Sequence, residues 1–245
     1  MNADRCSLRA VVEYDGTGYR GFQRLPRLPT VQGALEAALE KVVGPTPVVG
    51  AGRTDAGVHA HGQVISFAAS WRRGLEELQR ALNALLPPDI AVHDLCWADS
   101  GFHARHSAVA RWYRYTILNR AQRSPLLGRF AYHVPRSLDL SSCDALCTVV
   151  MGTHDFAAFA SRHAGRTVRT VHHAACTQHG DVVEIDVVIS GAFAHLVRRL
   201  VGTLIRVGQG SLTPKTAMAI VASRDRRMAP PIAPAHGLCL MEVFY

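Results

Sequence analysis

A chain of 245 residues with 48% hydrophobic and 19% charged side chains can bury one large core or two small ones, and its composition excludes an intrinsically disordered protein. Its longest apolar runs fall well short of the about 18 residues a membrane helix needs. Met1-Asn2-Ala3-Asp4-Arg5 leads straight into a β-like run rather than a charged-then-apolar leader, so no membrane attachment and a cytoplasmic location are expected. Lysine and arginine number 27 against 19 acids, a formal charge of +8. That excess fits a polyanionic partner, and equally a merely solvated basic surface.

In chain order, Leu8 to Tyr14 is a β-branched run closed by Asp15-Gly16, a strand. Apolar residues at 31, 34, 35, 38, 39, 42 and 43 give a helix over Val31–Val43, opened by Pro29-Thr30 and stopped by Gly44-Pro45. Thr46–Val49 reads as a short strand and Gln63–Ala68 as an alternating one. Leu75, Leu78, Leu82 and Leu85 mark a second helix, ended by Pro87-Pro88, and Ile90–Trp97 is a strand. This β-α-β-β-α-β order is that of a ferredoxin-like unit. The second half repeats it: a strand over Arg111–Leu118, a helix over Leu140–Met151, and a short extended piece over Phe156–Ala160. Strands over Thr170–Gln178 and Val182–Ile189 follow, joined at His179-Gly180-Asp181. Helices over Phe193–Val207 and Pro214–Ala222 precede a last strand, Leu238–Tyr245. The expected fold is therefore α+β. Two tandem ferredoxin-like units, residues 1–105 and 106–245, would form a pseudo-symmetric, largely antiparallel sheet with helices on one side and a central cleft. Two basic loops, 161–169 and 223–237, read as exposed.

Gly16-Thr17-Gly18-Tyr19-Arg20-Gly21 is a literal GxGxxG after a strand, but Pro26 and Pro29 forbid the helix that a dinucleotide fingerprint requires, so no nucleotide cofactor is expected. The six cysteines form no CxxC pair and read as reduced core thiols. His59-Ala60-His61 and His172-His173 lack a placed third ligand, so no metal is expected.

The most informative segment is Gly52-Arg53-Thr54-Asp55-Ala56-Gly57-Val58-His59-Ala60. Asp55 is the sole acid between Glu40 and Glu76. Its flanking glycines permit positive φ, so backbone N–H groups could cradle an anion or aim the carboxylate, with Arg53 pairing to phosphate. An Asx turn would use the same residue types. Phe102-His103-Ala104-Arg105 through Tyr113-Arg114-Tyr115 interleaves aromatics with arginines, a pattern that suits base stacking and also describes a half-exposed strand. The Phe193–Gly202 segment is amphipathic. Arg198 falls on the flank of the apolar stripe, and Arg199 and Arg206 point away, as in a surface helix with a snorkelling arginine.

Taken together these segments resemble the tRNA pseudouridine synthase A (TruA) family. The matching residues are Glu13-Tyr14-Asp15-Gly16-Thr17, Tyr19, Gly21-Phe22-Gln23, then Ala51 through Ala60, Phe102-His103-Ala104-Arg105, Arg111, Tyr113-Arg114-Tyr115, His195-Leu196-Val197-Arg198, Leu200-Val201-Gly202 and Ala233-Pro234-Ala235, Gly237-Leu238. They come in family order over nearly the whole chain. Departures are Phe22, where the family usually has tryptophan, and the stop at the terminal strand.

The resemblance implies isomerisation of uridine to pseudouridine at positions 38-40 of the tRNA anticodon stem–loop, by a homodimer needing no cofactor and no metal. It makes Asp55 the catalytic aspartate, either adding to C1′ or taking a ribose proton, as a glycosidase carboxylate faces an oxocarbenium-like centre. It has Arg105 fill the space left by the flipped base, Tyr113 stack on the uracil, Arg198 pair with Asp55 and Leu238 line the pocket. The rival readings are a catalytically silent RNA-binding or RNA-folding protein on the same fold, and a pseudouridine synthase with another RNA target.

Overall fold

A computed structural model of the chain describes residues 5–161 and 165–245. Met1–Asp4 and Arg162 of the first basic loop lie outside the described residues. The chain divides into two compact units, Met1–Val109 with Leu240–Tyr245, and Ala110–Cys239.

The first unit runs β1 (Cys6–Tyr14), α1 (Val31–Val43), β2 (Val49–Gly50), β3 (His59–Ala69), α2 (Leu75–Leu85) and β4 (Ile90–Trp97). β1 pairs antiparallel with β3 on one side and β4 on the other, and β2 pairs antiparallel with β3, the β4-β1-β3-β2 order of a ferredoxin-like unit. Local chemistry sets the helix ends. Thr30 Oγ1 accepts from Gly33 N at 3.3 Å at the start of α1, and Gly44, at φ 81°, closes it by donating to Glu40 O. Leu35 and Leu39 of α1, Leu78 and Leu82 of α2 and Leu8 and Val12 of β1 are buried at 3% exposure or less. Each such side chain contributes about 1.5–3 kcal/mol through removal from water. β2 is shorter than the expected Thr46–Val49 because α1 captures the backbone of Val48. Gln32 Nε2 donates to its carbonyl and its N–H donates to Glu36 Oε1, leaving neither group for a ladder.

The second unit runs β5 (Ala110–Leu118), β6 (Tyr132–His133), α3 (Leu140–Val150), β7 (Gly152–Asp155), β8 (Val168–His179), β9 (Val182–Ile189), α4 (Leu196–Gly208) and α5 (Pro214–Ser223). β10 (Leu238–Phe244) begins here, and from Leu240 it belongs to the first unit. β9 lies antiparallel between β5 and β8, with β7 beyond β8, while β6 adds a short parallel pairing to β5. α3 packs on β8, α4 and α5.

The extended piece expected over 156–160 is instead a tight 3-10 turn, Ala157–Phe159, that follows a strand the sequence pattern missed, β7. α4 starts at Leu196, three residues later than its apolar period suggests, because His195 takes a left-handed conformation (φ 68°) that a helix cannot include. Among the described residues no disulfide joins the six cysteines. Cys143 and Cys147 are buried as expected of core thiols, but Cys96, Cys176 and Cys239 are half-buried and Cys6, at the start of β1, is exposed. Among the described residues no helix is long and apolar enough to cross a membrane.

Candidate active site

Asp55 sits half-buried in the loop that joins β2 to β3. That loop is pinned at each end and in its middle. Upstream, Gln63, fully buried on β3, grips both polar groups of Gly52: its Nε2 donates to Gly52 O at 2.9 Å and its Oε1 accepts from Gly52 N at 3.3 Å. Downstream, Val58 N donates to Asp55 O at 3.1 Å and closes a turn in which Gly57 adopts φ 77°. In the middle, Phe22 N donates to Thr54 O at 3.1 Å, and the buried Thr54 hydroxyl shares a 2.8 Å hydrogen bond with Tyr14. The backbone around Asp55 is therefore held from three directions. Arg53, beside it, is exposed.

The 15–23 segment supplies part of this clamp, and two of its glycines, Gly16 and Gly21, are explained by close approach. A Cβ on Gly16 would overlap the Val58 carbonyl. One on Gly21, whose φ is 97°, would lie 2.7 Å from Thr54 O and 3.3 Å from Ala56 N. The Phe22 ring, buried at 3% exposure, occupies the space a side chain at Gly50 would need, so the usual tryptophan position still holds a packed aromatic. His59 belongs to the same clamp: its Nδ1 accepts from Gly16 N at 3.0 Å and lies 3.2 Å from Asp15 Oδ1. Tyr19 donates to Asp89 Oδ1 at 2.6 Å, and burial followed by that acceptor pushes its phenol well above the usual range. Among the described residues no group of three or more His, Cys, Asp or Glu side chains is placed to hold a metal ion.

Arg105 extends from a turn that follows β4 and is exposed. His103 organises the turn, its Nδ1 accepting from the N–H groups of Arg105 and His106 at 3.2 Å each. Ala104 N anchors it to Ser66 Oγ on β3 at 3.1 Å, and Tyr245 donates to Ala104 O at 2.9 Å. The turn thus hangs from the strand that also carries Gln63.

In the second unit the interleaved aromatics and arginines separate by face. Tyr113 and Tyr115 of β5 are buried, at 6% and 0% exposure. Trp112 and Arg114, on the other face, are consumed by a cross-strand network on β9. Arg114 Nε and Nη2 fork onto the two Asp186 oxygens at 2.9 Å each, Nη1 pairs with Glu184 at 3.0 Å, and Trp112 Nε1 donates to Asp186 Oδ1 at 2.7 Å. The half-exposed-strand reading therefore accounts for Trp112 and Arg114, while Tyr113 and Tyr115 form the buried face of the strand.

Arg198, half-buried on α4, is tied to the 230–237 loop by two bonds: its Nε donates to Ala233 O at 2.8 Å, and Ala233 N donates to its carbonyl. Gly202, one turn on, has no room for a Cβ against the Pro231 carbonyl. The same loop meets β5, because Tyr115 donates to Pro234 O at 2.9 Å and Gly237 lies against its ring. Burial, then Tyr132, push the Tyr115 phenol up, while the nearby Arg198 charge opposes them. Leu238 follows, buried at 6% exposure. Arg206 points away as expected, whereas Arg199 does not: its Nη1 donates to Pro230 O and its Nε is buried without a partner. Burial and the charge of Arg226 pull its pKa down.

Asp55, Arg53 and Arg105 are thus carried by the first unit, and Tyr113, Arg198 and Leu238 by the second. Sequence reasoning missed Gln63, Ser66 and Asp186. Gln63 had one signal, an amide in an otherwise apolar run.

A family model described as tRNA pseudouridine synthase matches residues 10–106 and 147–245. The chain is 44% identical over 241 residues to tRNA pseudouridine synthase A of Syntrophotalea carbinolica, covering 97% of this chain and 96% of that one. It is 42% identical to the enzyme of that name from Moorella thermoacetica, over 97% and 99% of the two chains. It is 45% identical to that of Roseiflexus sp. strain RS-1, over 96% and 88%. With a pinned, glycine-flanked aspartate and the family's spacing throughout, the chain belongs to the tRNA pseudouridine synthase family.

Proposed function

We propose that this protein isomerises uridine to pseudouridine in the anticodon stem–loop of tRNA, in the cytosol, as a homodimer and with no cofactor. The observation that carries the reading is the Asp55 loop: a half-buried carboxylate on a backbone gripped by Gln63, by Phe22 and by its own turn. Such rigidity is what positioning a reacting group requires, because small misplacements cost large factors in rate.

The reaction breaks N1–C1′, turns the uracil, forms C5–C1′ and releases the C5 proton. No atom is gained or lost, so the product has the mass of the substrate. Asp55 acts at the ribose in its ionised form, as a nucleophile to C1′ or as the base that removes a ribose proton. Arg198 serves as the site's cation and pairs with the Asp55 carboxylate to aim it. The target base leaves the stack at a cost of about a few kcal/mol, and Arg105 takes its place. Tyr113 stacks on the uracil, Leu238 lines the pocket and Arg53 meets a backbone phosphate.

Purified Asp55→Asn protein tests the assignment with unmodified tRNA transcripts and carbodiimide-reactive pseudouridine as the readout. The variant is expected to melt like wild type, bind tRNA and give no product. Product formation near the wild-type rate would sink the catalytic role of Asp55. Sedimentation at micromolar concentration is expected to give twice the chain mass.

A further inference from the structure

The second unit holds a cationic cluster that the proposed chemistry does not use. Arg111, at the start of β5, is a charged residue only 7% exposed, and its Nη1 donates to Ser190 O at 3.3 Å. Arg169, at the start of β8, reaches the next residues of the same turn. Its Nε would lie 3.7 Å from a Cβ on Gly191, and its guanidinium sits 5.6 Å from the Phe193 ring centroid. The turn itself is fixed, with Ser190 N donating to Thr170 O at 2.9 Å and Thr170 N donating to Ser190 Oγ at 3.1 Å. Arg166 adds an exposed third charge.

The nearest acid along the ladder, Asp155 opposite Val168, is already occupied. It accepts from the Thr167 hydroxyl at 2.6 Å and pairs with Arg224 at 2.9 Å. Among the described residues neither Arg166 nor Arg169 makes an ion pair. The arrangement is electrostatically uncomfortable: burial, then Arg166 and Arg111, lower the pKa of Arg169. A charge cluster of this kind is relieved by an anion, and planar guanidiniums, one held by an aromatic face, suit a phosphate oxygen fork.

We infer that Arg111 and Arg169, both at the Ser190–Phe193 turn, together with Arg166, three residues before Arg169 in the chain, bind one backbone phosphate of the substrate RNA, with Phe193 holding the Arg169 guanidinium in place. The inference rests on the tRNA reading above. It adds a grip on the RNA backbone to the groups assigned to the reacting nucleotide.

The test uses the full-length protein, fluorescently labelled unmodified tRNA and anisotropy titrations at several salt concentrations. Arg166→Ala removes an exposed side chain and leaves the core untouched, Arg169→Gln removes the stacked charge, and melting curves verify the fold of both. Each variant is expected to weaken tRNA binding about tenfold, as the loss of one charge-assisted contact does. Each should also reduce the slope of log affinity against log salt by about 1. Arg169→Lys is expected to keep the slope and lose part of the affinity. Affinities within about twofold of wild type and unchanged slopes for Arg166→Ala and Arg169→Gln overturn the inference. If they coincide with inorganic phosphate raising the melting temperature of wild type but not of Arg169→Gln, the site belongs to a free anion instead. A wild-type protein that makes no pseudouridine, while Arg166→Ala still weakens tRNA binding, refutes the proposed reaction and leaves the site standing. Normal product formation with unaltered variant binding does the reverse.

Discussion

Gly21 shows how a single missing methyl group can shape a reactive loop. Its φ of 97° is one that side-chain-bearing residues rarely adopt, and a Cβ would press on the Thr54 carbonyl at 2.7 Å. Gly21→Ala is therefore expected to destabilise the protein by about 1–3 kcal/mol and to displace Asp55. Melting together with single-turnover pseudouridine formation checks it, and an alanine variant as active and as stable as wild type would count against the clamp. Gln63 acts at the same scale by another route. Gln63→Leu conserves bulk but leaves Gly52 N and O without their partners, at a cost of about 1–3 kcal/mol. Because Gln63 acts through Gly52 and not on the substrate, the expected result is a lower kcat with tRNA KM little changed. A rise in KM alone would mean that it shapes binding instead.

Among the elements, α3 and the β5–β9 pair make separable predictions. Asp139 caps α3, accepting from the N–H groups of Ser141 and Ser142. The Ser142 hydroxyl and then the Ser141 hydroxyl hold its carboxyl at about 2, against an ordinary value of 3.8. A depressed folded value means stability present above the ordinary pKa and lost as pH falls from about 4 toward 2. Asp139→Ala should thus melt below wild type at neutral pH, with the gap closing toward pH 2; a constant gap would refute the linkage. On β9, Asp186→Ala strands both the Trp112 indole and the Arg114 fork, and should cost about 1–3 kcal/mol. Removing Glu77 from its exposed pair with Arg73 should cost about 0.5 kcal/mol or less. Chemical denaturation of the two variants decides whether burial sets the difference. Gly202→Ala in α4 meets the Pro231 carbonyl and should dislodge the loop that holds Arg198, lowering activity.

For the whole molecule the governing quantity is charge. A net +8 with a large arginine share implies that tRNA binding releases condensed counterions. Affinity is expected to fall about a hundredfold between about 50 and 200 mM salt. A flat salt response would remove the basic surface from the account of RNA binding. Those arginines are not equivalent, however. Arg114, Arg120, Arg224 and Arg227 are paired with carboxylates, so charge-removing substitutions there should change stability or nothing, whereas Arg166 and Arg169 should change binding.

By itself the sequence determined the order of the helices and the longer strands, though not the short β6 and β7, because hydrophobic period and capping residues act over a few neighbours. Val31–Val43 and Ile90–Trp97 fall where their patterns place them. It also marked the Asp55 segment, since an isolated acid between glycines stands out without any fold. It could not show that the GxGxxG segment exists to clamp that loop, nor that Asp186 claims Arg114 while Arg199 turns inward. Those facts depend on residues 31 to 72 positions apart meeting in space. Tertiary structure alone decided them, because hydrogen bonds and van der Waals contacts act over a few ångströms of space and are blind to distance along the chain.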